Sequence, residues 1–215
     1  MTKPLKIDFV SDVMCPWCAV GLGSLEQALG KLGGEVAAEI TFHPFELNPD
    51  MPKGGQNLFE HLQQKYRQTK EQTLVNQQRL KDRAAEVGFV MARDENSRMY
   101  NSFDAHRLMH WAGLEGKQAG LKHALLEAYF SHGRNVEDHD VLVTAAETAG
   151  LDADKAREVL ISGRYADEVR AEERDWLDKG INSVPAVVLD GRYLISGGQP
   201  AEMFEQAIRQ ILAKS

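Results

Sequence analysis

The chain has 215 residues, 43% of them hydrophobic and 27% charged, and a formal net charge of −7. That length suits one large domain, or a domain carrying an insertion, with ample core. The acidic balance argues against nucleic acid as a partner, and no apolar run reaches the length that crosses a bilayer.

The start, Met1-Thr2-Lys3-Pro4, runs straight into a strand candidate and leaves no room for a signal peptide, so a cytoplasmic location is expected. Leu5 to Ser11 reads as a short apolar strand, and Pro16 to about Leu32 as a helix ended by Gly33-Gly34. Val36 to His43 alternates as a second strand, and a Pro/Gly-rich crossing follows from Pro44 to Gly55. From Asn57 to about Arg164 the pattern is helical throughout, with segments near 57–69, 71–87, 95–114, 117–132, 138–149 and 153–162 separated by glycines. Tyr165 to Lys179 continues as a charged amphipathic helix that Gly180 ends. Pro185 to Leu189 and Arg192 to Ile195 flank Asp190-Gly191, a strong signal for a two-residue hairpin, and Gln199 to Lys214 is a last helix.

Both cysteines of the chain lie in one tetrapeptide, Cys15-Pro16-Trp17-Cys18, between the first strand and the first helix. In the first turn of a helix, unpaired N–H groups and the positive dipole end stabilise a thiolate, and Pro16 fits a position with no N–H partner to lose. A thiolate is the nucleophile of disulfide exchange, and a second thiol three residues on can displace a mixed disulfide. A structural bridge explains the pair poorly, since closing so short a loop stabilises little. Structural zinc needs four ligands, and the seven histidines offer no finger spacing; His106 and His110 share a helix face without the Glu of HExxH. No metal or bound cofactor is expected, and the thiols point to redox chemistry in a reducing compartment.

Without its helical middle, the element order is βαβαββα, that of a thioredoxin fold with a large all-helical insertion after the second strand. The expected division is a discontinuous thioredoxin-like domain, 1–56 with 165–215, and a helical insertion domain, 57–164. Four motifs then carry a resemblance: Ser11-Asp12-Val13-Met14-Cys15-Pro16-Trp17-Cys18 with Gly21, Phe45-Glu46-Leu47-Asn48-Pro49, Asn101 to Leu108, and Gly180 to Pro185. Together with Ile195-Ser196-Gly197-Gly198-Gln199-Pro200, they resemble the FrnE subfamily of DsbA-like oxidoreductases over nearly the whole chain. The resemblance implies a dithiol–disulfide oxidoreductase, with Cys15 as the attacking and more exposed thiol and Cys18 as the resolving one. It also implies that Val184-Pro185 is a cis-proline turn facing the redox pair. The residues alone read Pro185 as a trans proline starting a strand, because X-Pro bonds are cis only about one time in twenty.

Asp8 has two open readings: a buried acid beneath the CxxC helix that helps deprotonate Cys18, or a partly exposed strand Asp neutralised by Lys6. Trp17 is expected to cap the site with apolar surface, and Met14 and Met51 to add soft apolar surface near the thiols. His43 reads as a strand-end surface histidine rather than a site residue. Asn101, His106 and Arg107 read as packing between insertion and thioredoxin domain rather than groove lining. Two other functions compete with disulfide exchange on a protein or small thiol substrate. One is the glutathione-linked branch of kappa-type transferases and 2-hydroxychromene-2-carboxylate isomerases, in which glutathione is a cosubstrate; a complete CxxC counts against it. The other is a chaperone-like module that binds unfolded chains around Trp17. Redox direction, electron partner and oligomeric state are not legible in the sequence.

Overall fold

The computed structural model describes residues 2–214. Strand β1 (Lys3–Ser11) pairs in parallel with β2 (Val36–Pro44), with Phe9 opposite Phe42 and Ser11 opposite Pro44. Helix α1 (Pro16–Leu32) makes the crossover between them. Late in the chain β5 (Ala186–Leu189) pairs antiparallel with β1, and β6 (Tyr193–Ser196) antiparallel with β5, giving the sheet order β2-β1-β5-β6. Asp190 and Gly191 take φ of 50° and 64° in the hairpin turn, the left-handed pair that a primed two-residue turn demands. The result is a thioredoxin-like fold.

Strand alternation divides the core into two faces. Leu5, Ile7 and Phe9 of β1, with Val187 and Leu189 of β5, pack with α1 and with Phe204, Ile208 and Ile211 of α9 (Ala201–Lys214). Val10 and Ala186 point the other way, onto Trp176 of α8 (Ala166–Asp178) and Ile181.

Between β2 and α8 lie α2 (Leu58–Tyr66), α3 (Lys70–Glu86), α4 (Phe103–Leu114), α5 (Gln118–Leu126), α6 (His139–Thr148) and α7 (Ala153–Ser162). A π-helical turn, Glu127–Ser131, extends α5. Two departures from the sequence pattern appear here. Residues Gln56–Asn57 (β3) and Arg98–Met99 (β4) form a two-stranded antiparallel ribbon, although helix was expected at Asn57 and across Arg98–Met99. The expected 95–114 helix starts only at Phe103, because Asn101 Oδ1 accepts the Phe103 N–H (2.9 Å) while Asp94 and Ser97 close a turn upstream. Gly55 (φ 67°) permits the ribbon, since a Cβ there would stand 2.1 Å from the Met99 carbonyl oxygen.

Candidate active site

Cys15 is the N-cap of α1, with extended backbone (φ −88°, ψ 114°), and Pro16 opens the helix. The Cys15 N–H donates to the Asp12 carbonyl and the Cys18 N–H to the Cys15 carbonyl, both at 3.1 Å, which fixes both thiols on the first turn. Cys15 is 4% exposed and Cys18 fully buried, and both are free thiols. Cys15 Sγ lies 3.7 Å from the Val184 carbonyl oxygen, and the Val184-Pro185 peptide bond is cis. Glycines allow this close packing. A Cβ on Gly21 would stand 3.1 Å from Pro185 Cγ, and one on Gly198 would stand 2.8 Å from the Trp17 carbonyl oxygen. The Gly198 segment therefore seats against the CxxC turn because neither glycine carries a side chain.

The two thiols are driven apart electrostatically. A hydrogen bond from the Cys18 thiol favours the Cys15 thiolate most; burial opposes it, and the N–H groups of Cys18 and Trp17 add to it, leaving Cys15 below the usual thiol range. Burial pushes Cys18 well up, and the neighbouring Cys15 raises it further, while the Lys122 ammonium acts the other way.

The sequence reading passed over the acid nearest this pair. Asp12 is fully buried, its Oδ1 accepting from Met14 N–H (3.0 Å) and its Oδ2 from Leu47 N–H (2.7 Å). Burial raises its carboxyl, but the His106 ring, 3.6 Å away, and those two N–H groups outweigh it, so Asp12 sits below the ordinary range. Its signal in the sequence was an Asx turn, a carboxylate two residues before the N–H it caps. Lys122, fully buried on α5, was also missed; burial lowers its ammonium, and the fields of Cys18, Asp12 and Cys15 pull it back up.

Asp8 does not lie beneath α1. It occupies the α8 face of β1, with Oδ1 2.9 Å from His43 Nε2, while His43 Nδ1 lies 2.5 Å from Glu172 Oε1 of α8. The partner of Asp8 is thus His43 and not Lys6. His43 is not a surface residue either: its side chain is 13% exposed, and its ring packs against Trp176 at 4.7 Å, tilted by 52°. Glu172, flanked by His43 and His110, is held down at about 2 against the effect of its burial. His106 donates to the Phe45 carbonyl (3.1 Å), Asn101 to the Pro49 carbonyl (3.2 Å), and Arg107 binds carbonyls at the end of α7.

Cys15, Pro16, Trp17, Met14 and Val184 line one cavity of about 660 Å³, whose far wall comes from α2, α3 and Arg93. Met51 is buried elsewhere. Among the described residues, no group of three or more His, Cys, Asp or Glu could hold a metal ion, and no helix is long and apolar enough to cross a membrane.

A buried dithiol at the start of the first helix of a thioredoxin-like sheet defines a class, and comparison with known proteins gives the family. A model of the DSBA-like thioredoxin domain matches residues 6–209, so the chain belongs to that family. It is 36% identical to a probable DsbA oxidoreductase from Streptomyces coelicolor, with a TM-score of 0.92 over 98% of this chain and 91% of the other. It is 27% identical over 211 residues, 97% of this chain and 96% of the other, to the uncharacterized protein YwbO of Bacillus subtilis (strain 168). In fold it is also similar to the cytosolic disulfide reductase DsbM of Pseudomonas aeruginosa, at 18% identity and TM-score 0.67 over 98% of this chain and 100% of the other. A second structure of DsbM, with GSH, gives 16% identity and TM-score 0.63 over 97% and 99%.

Proposed function

We propose that the protein is a thiol–disulfide oxidoreductase of DsbA/FrnE type in which Cys15 attacks and Cys18 resolves. The observation that carries this reading is the pair itself: the N-cap thiol is lowered, its neighbour raised, and Cys15 Sγ stands against the Val184 carbonyl. In the reducing direction, the Cys15 thiolate attacks one sulfur of a substrate disulfide, and the other sulfur leaves as a thiolate that takes up a proton. Cys18 then loses its proton and attacks Cys15 in the mixed disulfide, releasing the second substrate thiol. The Cys15–Cys18 disulfide that results has given two electrons to the substrate, and the oxidising direction is the reverse.

Pro16 and Trp17 shape the approach to Cys15, Val184 and Pro185 face it, and the helical insertion, residues 57–164, walls the cavity. Glutathione is the candidate cosubstrate, in keeping with the fold likeness to DsbM, and a reducing cytoplasm is the compartment that suits such a pair. Equilibrating the protein in glutathione redox buffers and counting free thiols by mass tests this. The expected result is a single two-electron transition between dithiol and Cys15–Cys18 disulfide, with about 30 mV per tenfold change in the equilibrium constant. Independent oxidation of the two thiols, or glutathione adducts as the only oxidised species, would contradict it.

A further inference from the structure

The cavity at Cys15 holds polar groups that disulfide exchange does not use. Thr73 Oγ1, Gln77 Nε2 and Arg93 Nε are buried without a hydrogen-bond partner, and all three residues line the same cavity as Cys15. Leaving such groups unmet costs about 1–3 kcal/mol each, more for a charged one, so three on one wall call for a ligand or bound solvent. Arg93 is the most telling. Its guanidinium lies over the Phe130 ring (4.6 Å) and donates to Tyr129 Oη (3.1 Å) and, at 3.5 Å, to the Met14 carbonyl, and among the described residues no carboxylate pairs with it. A buried cation with no counter-charge is an unusual expense for a fold.

The charge of the whole cavity runs the same way. Lys65 and Arg79 line it too, and its one acid, Glu46, is bound to Arg170 through Oε1, with Oε2 buried and unpartnered. The Lys65 ammonium donates to the Leu47 carbonyl and to Asn48 Oδ1, both at 2.7 Å, and touches no carboxylate. On a chain of net charge −7 this is a local reversal of sign. The dimensions point to a small occupant. A cavity of about 660 Å³ falls within the range that takes small molecules, and Cys15, only 4% exposed, is met from within it.

We infer that Thr73, Gln77 and Arg93 form a carboxylate-binding subsite, and that the substrate is a low-molecular-weight disulfide or thiol whose acid group docks there while its sulfur meets Cys15. The Arg93 Nε–H, the Gln77 amide N–H and the Thr73 hydroxyl supply donors to carboxylate oxygens, and guanidinium is well suited to that geometry. The inference rests on the redox reading of Cys15 for its chemistry, but the subsite can be tested apart from it.

Two measurements separate them. In the first, reduced protein is mixed with glutathione disulfide, which bears carboxylates, or with bis(2-hydroxyethyl) disulfide, which bears none, and the rate of Cys15–Cys18 disulfide formation is followed. Wild type should react at least tenfold faster with the acidic disulfide, and Thr73→Val with Gln77→Leu should cut that ratio at least fivefold. Arg93→Met should cut it further if it folds; the milder pair keeps the test decisive if it does not. Equal rates with both disulfides, a ratio untouched in the variants, or faster reaction with the disulfides of insulin would overturn the inference and leave the redox reading standing. In the second, S-methylglutathione, which cannot exchange, is titrated into Cys15→Ser protein by calorimetry. Binding that Gln77→Leu weakens, in a protein whose wild type exchanges no disulfide at all, would sustain the subsite and remove the redox reading. No binding would overturn the subsite.

Discussion

Cys15→Ser should abolish disulfide exchange, lowering turnover by at least about 10³-fold, because a serine hydroxyl cannot form the mixed disulfide through which the reaction runs. The loss should appear in kcat and kcat/KM together, since the thiolate acts on the reacting sulfur and contributes little to holding the substrate. The pH dependence of wild type carries the same signature. Cys15 is depressed in the folded protein, so its thiolate accumulates as pH rises through that lowered value and is lost as pH falls below it. The rate should therefore rise with pH and level off below the reference thiol pKa of about 8.5. A plateau reached only above that reference would mean that the N-cap position and the Cys18 hydrogen bond do not stabilise the thiolate. Stopped-flow rates across pH 5 to 9, with Cys15→Ser as the blank, decide it.

The largest expected effect on stability belongs to Arg107, far from the thiols. It is buried on α4, where Nη1 donates to the carbonyls of Val159 (2.7 Å) and Arg164 (3.0 Å), and Nη2 to that of Leu160 (2.9 Å). Val159 and Leu160 lie in the last turn of α7, whose carbonyls have no partner within the helix, and the guanidinium also answers the negative end of that helix. Asp104, one turn before Arg107 on α4, completes the set by accepting from both Nε and Nη2. Arg107→Met removes the donors and leaves the α7 carbonyls unmet, while Asp104 keeps only His139, 2.7 Å from its Oδ2. It should cost about 3–5 kcal/mol in urea unfolding, and Arg107→Lys should recover only part, because one ammonium cannot reach all four acceptors. A loss under about 1 kcal/mol would show that solvent replaces these bonds freely.

Much of the fold could be read from the sequence because its signals were local. The CxxC after an apolar strand, the Asp190-Gly191 turn and the glycines between helices each fix a boundary by steric or capping chemistry. What escaped depends on partners distant in the chain. Helical periodicity gave no sign of the β3–β4 ribbon, whose two-residue strands exist only because Gly55 lets Met99 approach. Strand alternation placed Asp8 opposite Ile7 and Phe9, but not which face α1 covers; the more apolar face went to α1, and Asp8 to His43 and α8. The acid beside the thiols turned out to be Asp12, in the loop whose backbone it ties to Leu47 of the β2–α2 connection. Lys122 was hidden by a helix-face pattern in which a lysine reads as solvated, whereas here it lies buried and over the Phe42 ring at 5.9 Å.

The account turns on the order of attack, Cys15 first and Cys18 second, and trapping tests that most directly. Cys18→Ser protein, reduced and then mixed with glutathione disulfide, should stall after the first step, because the thiol that resolves the intermediate is gone. Mass spectrometry of the intact protein should show one glutathione adduct, and fragmentation should place it on Cys15, while wild type treated in the same way collects only the internal disulfide. An adduct that forms on Cys18 of the Cys15→Ser protein as readily as on Cys15 of the Cys18→Ser protein would contradict the assignment of nucleophile and resolving thiol.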